Sequence, residues 1–121
     1  MLSPDFQRLQ RIRDYCVDIA QTLDRFGNAY ESFQSDIAYQ KVIAFDVLQI
    51  GELAGKLSPE YRSATSAHIK WTSIKALRNI VVHDYGSVDF EQLWGIVKSD
   101  IPSLQQFCEE QLAQAGAEDA T

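Results

Sequence analysis

Cysteine, proline, positive charge and long apolar runs are all scarce in this chain, and each shortage excludes something. The 121 residues hold two cysteines, Cys16 and Cys108, far apart in sequence. Two thiols are too few for a disulfide scaffold, and a reducing compartment is the simpler reading. Both fall on apolar faces of predicted helices, so free buried thiols are expected. No apolar run approaches the roughly 18 residues that a membrane span needs. The first residues, Met1 to Asp5, have neither the basic nor the apolar region of a secretion signal, so the reading is a cytoplasmic protein without a membrane segment. There is no glycine-rich phosphate loop and no cysteine or histidine cluster at metal-ligand spacing. The carboxylates form no recognisable metal pattern either, so neither metal nor cofactor is expected. Lys and Arg number 11 against 17 Asp and Glu, a formal net charge of -6. That balance argues against indiscriminate binding to nucleic-acid phosphates, and DNA is not an expected partner. Local basic clusters nonetheless occur at Arg8, Arg11 and Arg13, and at Lys70, Lys75 and Arg78.

What is present is helical periodicity. Ser3-Pro4 reads as a helix cap followed by proline at the first helical position. Leu9, Ile12, Cys16, Ile19, Leu23, Phe26 and Tyr30 then recur at alternating steps of three and four, one stripe close to the 3.5-residue period of a bundle seam. Gly27-Asn28 is a candidate early end. A second stripe, Tyr39, Ile43, Val47, Ile50, Ala54 and Leu57, follows Ser35-Asp36 and is stopped by Pro59. Ser58-Pro59 can cap a further turn through Tyr61. The polar stretch from Arg62 to Lys70 reads as a loop. A third, shorter helix starts near Trp71-Thr72-Ser73, carries Ile74, Leu77 and Val81, and is expected to end with Gly86 as its C-terminal cap. The fourth starts at Asp89, with Gln92 completing a capping box, and carries Phe90, Trp94, Val97, Ile101, Leu104 and Cys108. Pro102 inside this pattern predicts a kink, or a break with a new helix starting at Asp100. Strand alternation is not convincing anywhere; Ile80 to Val82 is β-branched but short and flanked by helix formers. The expected architecture is all-α, an antiparallel bundle of four or five helices in one domain over residues 1–112. Residues 113–121 lack large apolar side chains and read as a flexible tail.

The chemistry is concentrated between Arg78 and Tyr85. Within eight residues the chain places a permanent cation (Arg78), an amide (Asn79), an imidazole (His83) and a phenol (Tyr85). Histidine exchanges a proton near neutral pH. A guanidinium stabilises the charge that builds on a phosphate under attack. Together they suffice for RNA cleavage without a metal: a base removes the 2′-hydroxyl proton and the guanidinium holds the phosphorane. Asn79 either orients His83 or faces solvent. Five residues on an ideal helix turn through about 500°, or 140° net, and rise about 7.5 Å, so Arg78 and His83 do not share a face. Either an irregular turn and the long arginine stem unite them, or two chains pool their pairs across a symmetric dimer, which would also concentrate positive charge in an acidic protein.

Arg78-x4-His83-x-Tyr85 resembles the signature of the HepT-type proteins of the HEPN superfamily. The surroundings extend the likeness: Ile50-Gly51-Glu52-Leu53-Ala54, Leu57-Ser58-Pro59-Glu60-Tyr61, Trp71-x2-Ile74-x2-Leu77-Arg78-Asn79, Val88-Asp89, Trp94, and Asp100-Ile101-Pro102-x-Leu104. The resemblance runs from about Leu2 to Leu112. It implies a helical homodimer with a ribonuclease site in the dimer cleft, an RNA substrate, and a toxin neutralised by a minimal nucleotidyltransferase antitoxin. Arg78 and His83 carry over as catalytic residues, and Tyr85 as the site at which the partner attaches AMP. Two positions depart from the pattern: Ile80 stands where many members have a second basic residue, and Asp84 where many have glycine. Asp84 would raise the pKa of His83 and repel RNA slightly. The competing function is a non-enzymatic subunit that binds the nucleotidyltransferase or a nucleotide. Glu52 lies in a recognisable segment but receives no role from the sequence.

Overall fold

A computed structural model describes residues 3–82 and 88–120 of the chain, with side chains placed over 3–79 and 88–116. Among the described residues the fold is entirely helical. Helix α1 (Pro4–Phe26) opens as its sequence demands: Ser3 accepts a hydrogen bond from the Phe6 amide, and Pro4 occupies the first position, where no donor is needed. It closes at Gly27, whose φ of 109° only glycine adopts easily. The apolar stripe therefore does not continue unbroken to Tyr30, which instead opens a short α2 (Tyr30–Gln34).

Helix α3 (Ile37–Lys56) starts at Asp36, whose carboxylate accepts from the Ala38 and Tyr39 amides. Ser58 caps α4 (Pro59–Ala64). The stretch from Arg62 to Lys70 is thus not all loop, because α4 continues to Ala64 before a turn. Thr65 in that turn is buried: its hydroxyl donates to the Tyr61 carbonyl (2.8 Å) and accepts from the Trp71 indole (2.8 Å). A polar stretch becomes structured here because its polar groups satisfy one another.

Helix α5 (Trp71–Val82) is followed by α6 (Phe90–Gly95), capped by Asp89 through the Gln92 amide. Ahead of Pro102 the helix widens into a π-helical turn, Ile96–Asp100, in which the Ile101 amide bonds the Ile96 carbonyl five residues back. Proline lacks the donor and crowds the preceding turn, so α7 (Ile101–Ala120) restarts just before it. The helix runs past Leu112 to Ala120, and Ala115 is buried.

Helix α1 lies between α3 and α7, and α5 packs on α3. The neighbours run antiparallel. Asp5 at the start of α1 accepts from the Ser58 amide (2.8 Å) and hydroxyl (2.6 Å) beyond the end of α3. Lys98, just before α7, donates to Asn28, just after α1. The core joins Leu9, Ile12, Cys16 and Ile19 of α1 to Ile43, Val47 and Ile50 of α3 and to Ile101, Leu104 and Cys108 of α7. Both cysteines are free and buried, and burial pushes the Cys108 thiol up to about 12 and Cys16 higher still. Neither is a ready nucleophile. A separate end of the bundle is aromatic, with Phe33 at its centre against Tyr39, Phe90 and Trp94.

Candidate active site

Helix α5 is amphipathic, and its anchoring determines what it presents. Trp71 is held by its indole bond to Thr65 and by an edge-on contact with Phe107 of α7 (5.8 Å, 74°). Ile74 and Leu77 follow it into the core. Lys75, Arg78 and Asn79 are consequently turned outward.

The face of α5 that meets α3 is set by two glycines. A β-carbon at Gly51 would lie 2.8 Å from the Arg78 backbone nitrogen and 3.2 Å from its Cβ, so only a hydrogen there lets the helices approach this closely. One turn on, the Gly55 position is 3.9 Å from the Lys75 side chain. Close approach at Gly51 brings Glu52 of α3 against Arg78 of α5: Arg78 Nε lies 2.8 Å from Glu52 Oε1. Both side chains stay partly exposed, at 55% and 39%. They border an open groove of about 480 Å³ between α3 and α5, also bordered by Lys56, Lys75 and Asn79.

Of the residues singled out from sequence, Arg78 and Asn79 therefore share one groove wall. His83 and Tyr85 lie outside the described residues, as do Asp84 and the expected helix cap Gly86. Glu52, without a role in sequence, is the ion-pair partner of Arg78. Lys56 also belongs to the groove; it sits 22 residues before Arg78, and only the antiparallel packing of α3 on α5 unites them. Their signal in sequence is slight: glycines at 51 and 55, one turn apart, mark a helix face that another backbone approaches.

Glu52 continues a stripe of α3 that includes Val42, Phe45 and Gln49, spaced so as to share a face. Val42 and Phe45 are large apolar residues exposed at 39% and 55%, Phe45 meeting only the edge of Tyr15 among aromatic rings of the described residues (6.4 Å, 68°). An apolar strip thus leads along α3 to the Arg78–Glu52 pair. Among the described residues no three His, Cys, Asp or Glu side chains are grouped to hold a metal ion. No helix among them is long and apolar enough to cross a membrane.

Comparison with known proteins adds a family. The model of the "Ribonuclease HepT-like" family matches residues 7–111. The chain is 31% identical over 101 residues to "Probable ribonuclease HepT" of Thermococcus cleftensis, covering 77% of this chain and 88% of that protein. It is 28% identical over 104 residues to "Putative RNase MJ1380" of Methanocaldococcus jannaschii, covering 78% of this chain and 91% of that one. No solved structure matches it significantly.

Proposed function

Because the chain belongs to the ribonuclease HepT-like family, we propose that it is a metal-independent endoribonuclease whose working groups are Arg78 and His83, supported by Asn79. The observation that carries this reading is the Arg78–Glu52 pair at the edge of an open groove. A guanidinium held at a groove wall by a carboxylate is poised to meet a phosphate. In the reaction His83 takes the proton of a ribose 2′-hydroxyl. The 2′-oxygen bonds phosphorus, the bond to the 5′-oxygen breaks, and that oxygen leaves with a proton given back by the His83 imidazolium. The products are a 2′,3′-cyclic phosphate and a free 5′-hydroxyl. Arg78 stabilises the phosphorane between them.

The working unit is a symmetric homodimer. Support comes from the split spacing of Arg78 and His83 and from the exposed Val42 and Phe45 on the α3 stripe that leads to the site. The protein acts as the toxin of a pair with a minimal nucleotidyltransferase. The partner neutralises it by attaching AMP to Tyr85, read as added mass on the intact chain, or by complex formation alone. AMP at Tyr85 opposes RNA entry by its bulk and by a phosphodiester charge that competes for Arg78.

The test is purified wild type against His83→Ala on a defined RNA with EDTA present. The substitution is expected to cost at least about 100-fold in cleavage, the lower range for general acid–base catalysis. Cleavage that EDTA abolishes and a divalent ion restores would overturn the mechanism. A wild type inert on every RNA but bound by the nucleotidyltransferase would favour the non-enzymatic subunit instead.

A further inference from the structure

The groove beside Arg78 does not end at α5. A second concavity of about 360 Å³ adjoins it, sharing Thr72 and Lys75 as lining and adding Arg62 of α4 and Lys70. The two together gather Lys56, Arg62, Lys70, Lys75 and Arg78, five of the 11 Lys and Arg in the chain. Among the described residues the lining holds one acidic side chain against them, Glu52, already engaged by Arg78. In a protein of net charge -6, a strip of this composition is a deliberate local reversal of sign.

Apart from Glu52 at Arg78, no described residue pairs with the cations of the strip. Lys56, Arg62, Lys70 and Lys75 form no ion pair with any described residue. The Nε of Arg62 is buried without a hydrogen-bond partner among the described residues, an arrangement that ordinarily calls for an acceptor from elsewhere. From Trp71 to Arg78 the strip follows α5 for about 10 Å, longer than one phosphate group. Its one aromatic lining residue, Trp71, is buried and its indole N–H is already bonded to Thr65. Among the described residues the strip therefore offers no exposed ring on which a base can stack, and what this lining can read is backbone phosphate.

We propose that this strip is a phosphate track, binding the sugar–phosphate backbone of the RNA strand that flanks the scissile bond, without regard to base sequence. The assignment rests on the nuclease reading for its substrate. The track enters the site at Arg78 and leaves along α5 toward α4. It explains how an acidic protein handles a polyanion: the attraction is confined to one strip, and the described side chains outside it, six basic against 13 acidic, repel strands lying elsewhere.

The test measures binding apart from cleavage. In the full chain carrying His83→Ala, the exposed lysines Lys56, Lys70 and Lys75 are all replaced by Ala. The affinity for a single-stranded RNA is then followed across a salt series. Losing three phosphate contacts should flatten the slope of log affinity against log salt by about 2 and weaken binding at low salt at least tenfold. The same loss is expected on a second RNA of unrelated sequence. A control replacing the exposed Arg11, Arg25 and Lys41, which removes equal charge outside the groove, should bind as the His83→Ala parent does. Unchanged slope and affinity in the groove variant, or equal losses in both variants, would overturn the track. So would a groove that binds the nucleotidyltransferase but no RNA. If wild type fails to cleave but the groove variant alone loses RNA binding, the nuclease reading falls and the track stands. If wild type cleaves and the groove variant binds normally, the reverse holds.

Discussion

Glu52 and Arg78 pose a question of sign. A carboxylate 2.8 Å from the guanidinium offsets part of the charge that a phosphate would meet, yet it also holds a long side chain at one place on the groove wall. Exposed ion pairs contribute about 0–1 kcal/mol to stability, so the value of this one lies in placement. Glu52→Gln is expected to leave the melting temperature nearly unchanged while lowering kcat about tenfold or more. Unchanged turnover would mean that Arg78 does not depend on it. Asp46 of α3 is a different case. Burial, with Asp18 adding like charge, pushes its carboxyl up to about 7. The folded state thus keeps a proton that the unfolded chain, with a pKa of about 4, gives up. Between these values unfolding releases a proton, so stability is greatest below about pH 4 from this group and falls as pH rises toward about 7. Asp46→Asn should raise the melting temperature at pH 8 and flatten its change between pH 5 and pH 8. A variant that melts lower than wild type at pH 8 would refute the burial argument.

At the scale of elements, the contact between α3 and α5 places the groove. Gly51 permits it, since the added carbon of an alanine would meet the Arg78 backbone at 2.8 Å, and backbone cannot swing aside as a side chain does. Gly51→Ala is expected to cost about 1–3 kcal/mol, the usual range for overpacking, measured by urea unfolding. It should lower cleavage beyond what stability alone explains, because α5 and Arg78 move with the helix. Gly55→Ala, where the nearest atoms lie at 3.9 Å and belong to the Lys75 side chain, is the control that should be tolerated. The widened turn before Pro102 is the other irregular element. It lies in a helix that packs against α1 rather than in the groove, and its cause is local: a residue that cannot donate.

For the whole molecule the expectation is two chains per particle. Val42 and Phe45 remain exposed on the face of α3 that leads to Glu52, and a second copy of the same strip would cover them about a two-fold axis. Light scattering at micromolar concentration should give about twice the 13.7 kDa of one chain. Phe45→Lys should return the mass to that of a single chain and reduce cleavage with it. A wild type that scatters as a monomer while cleaving RNA would remove the need for a shared site.

Helix existence and several helix starts were legible in the residues themselves, because their causes are local. Ser3, Asp36, Ser58 and Asp89 each accept from an amide two or three positions ahead, and the apolar stripes of α1 and α3 repeat at helical steps. Pro102 likewise announced an irregularity in its own helix, which takes the form of a widened turn rather than a break. Where neighbouring residues do not contain the cause, the reading stopped short. Tyr30–Gln34 forms its own helix because Gly27 turns at a positive φ, and Thr65 is buried because an indole six residues on needs its oxygen. The site divides along the same line. Arg78 and Asn79 stand out in sequence by chemistry and by family likeness, whereas the partner of Arg78 lies 26 residues earlier on another helix. Only the antiparallel packing of α5 on α3, at a distance set by the missing side chain of Gly51, decided that Glu52 would meet that guanidinium and that Lys56 would join the cations beside it. A helix specifies its own faces by periodicity, but which faces meet depends on the shapes that pack against each other.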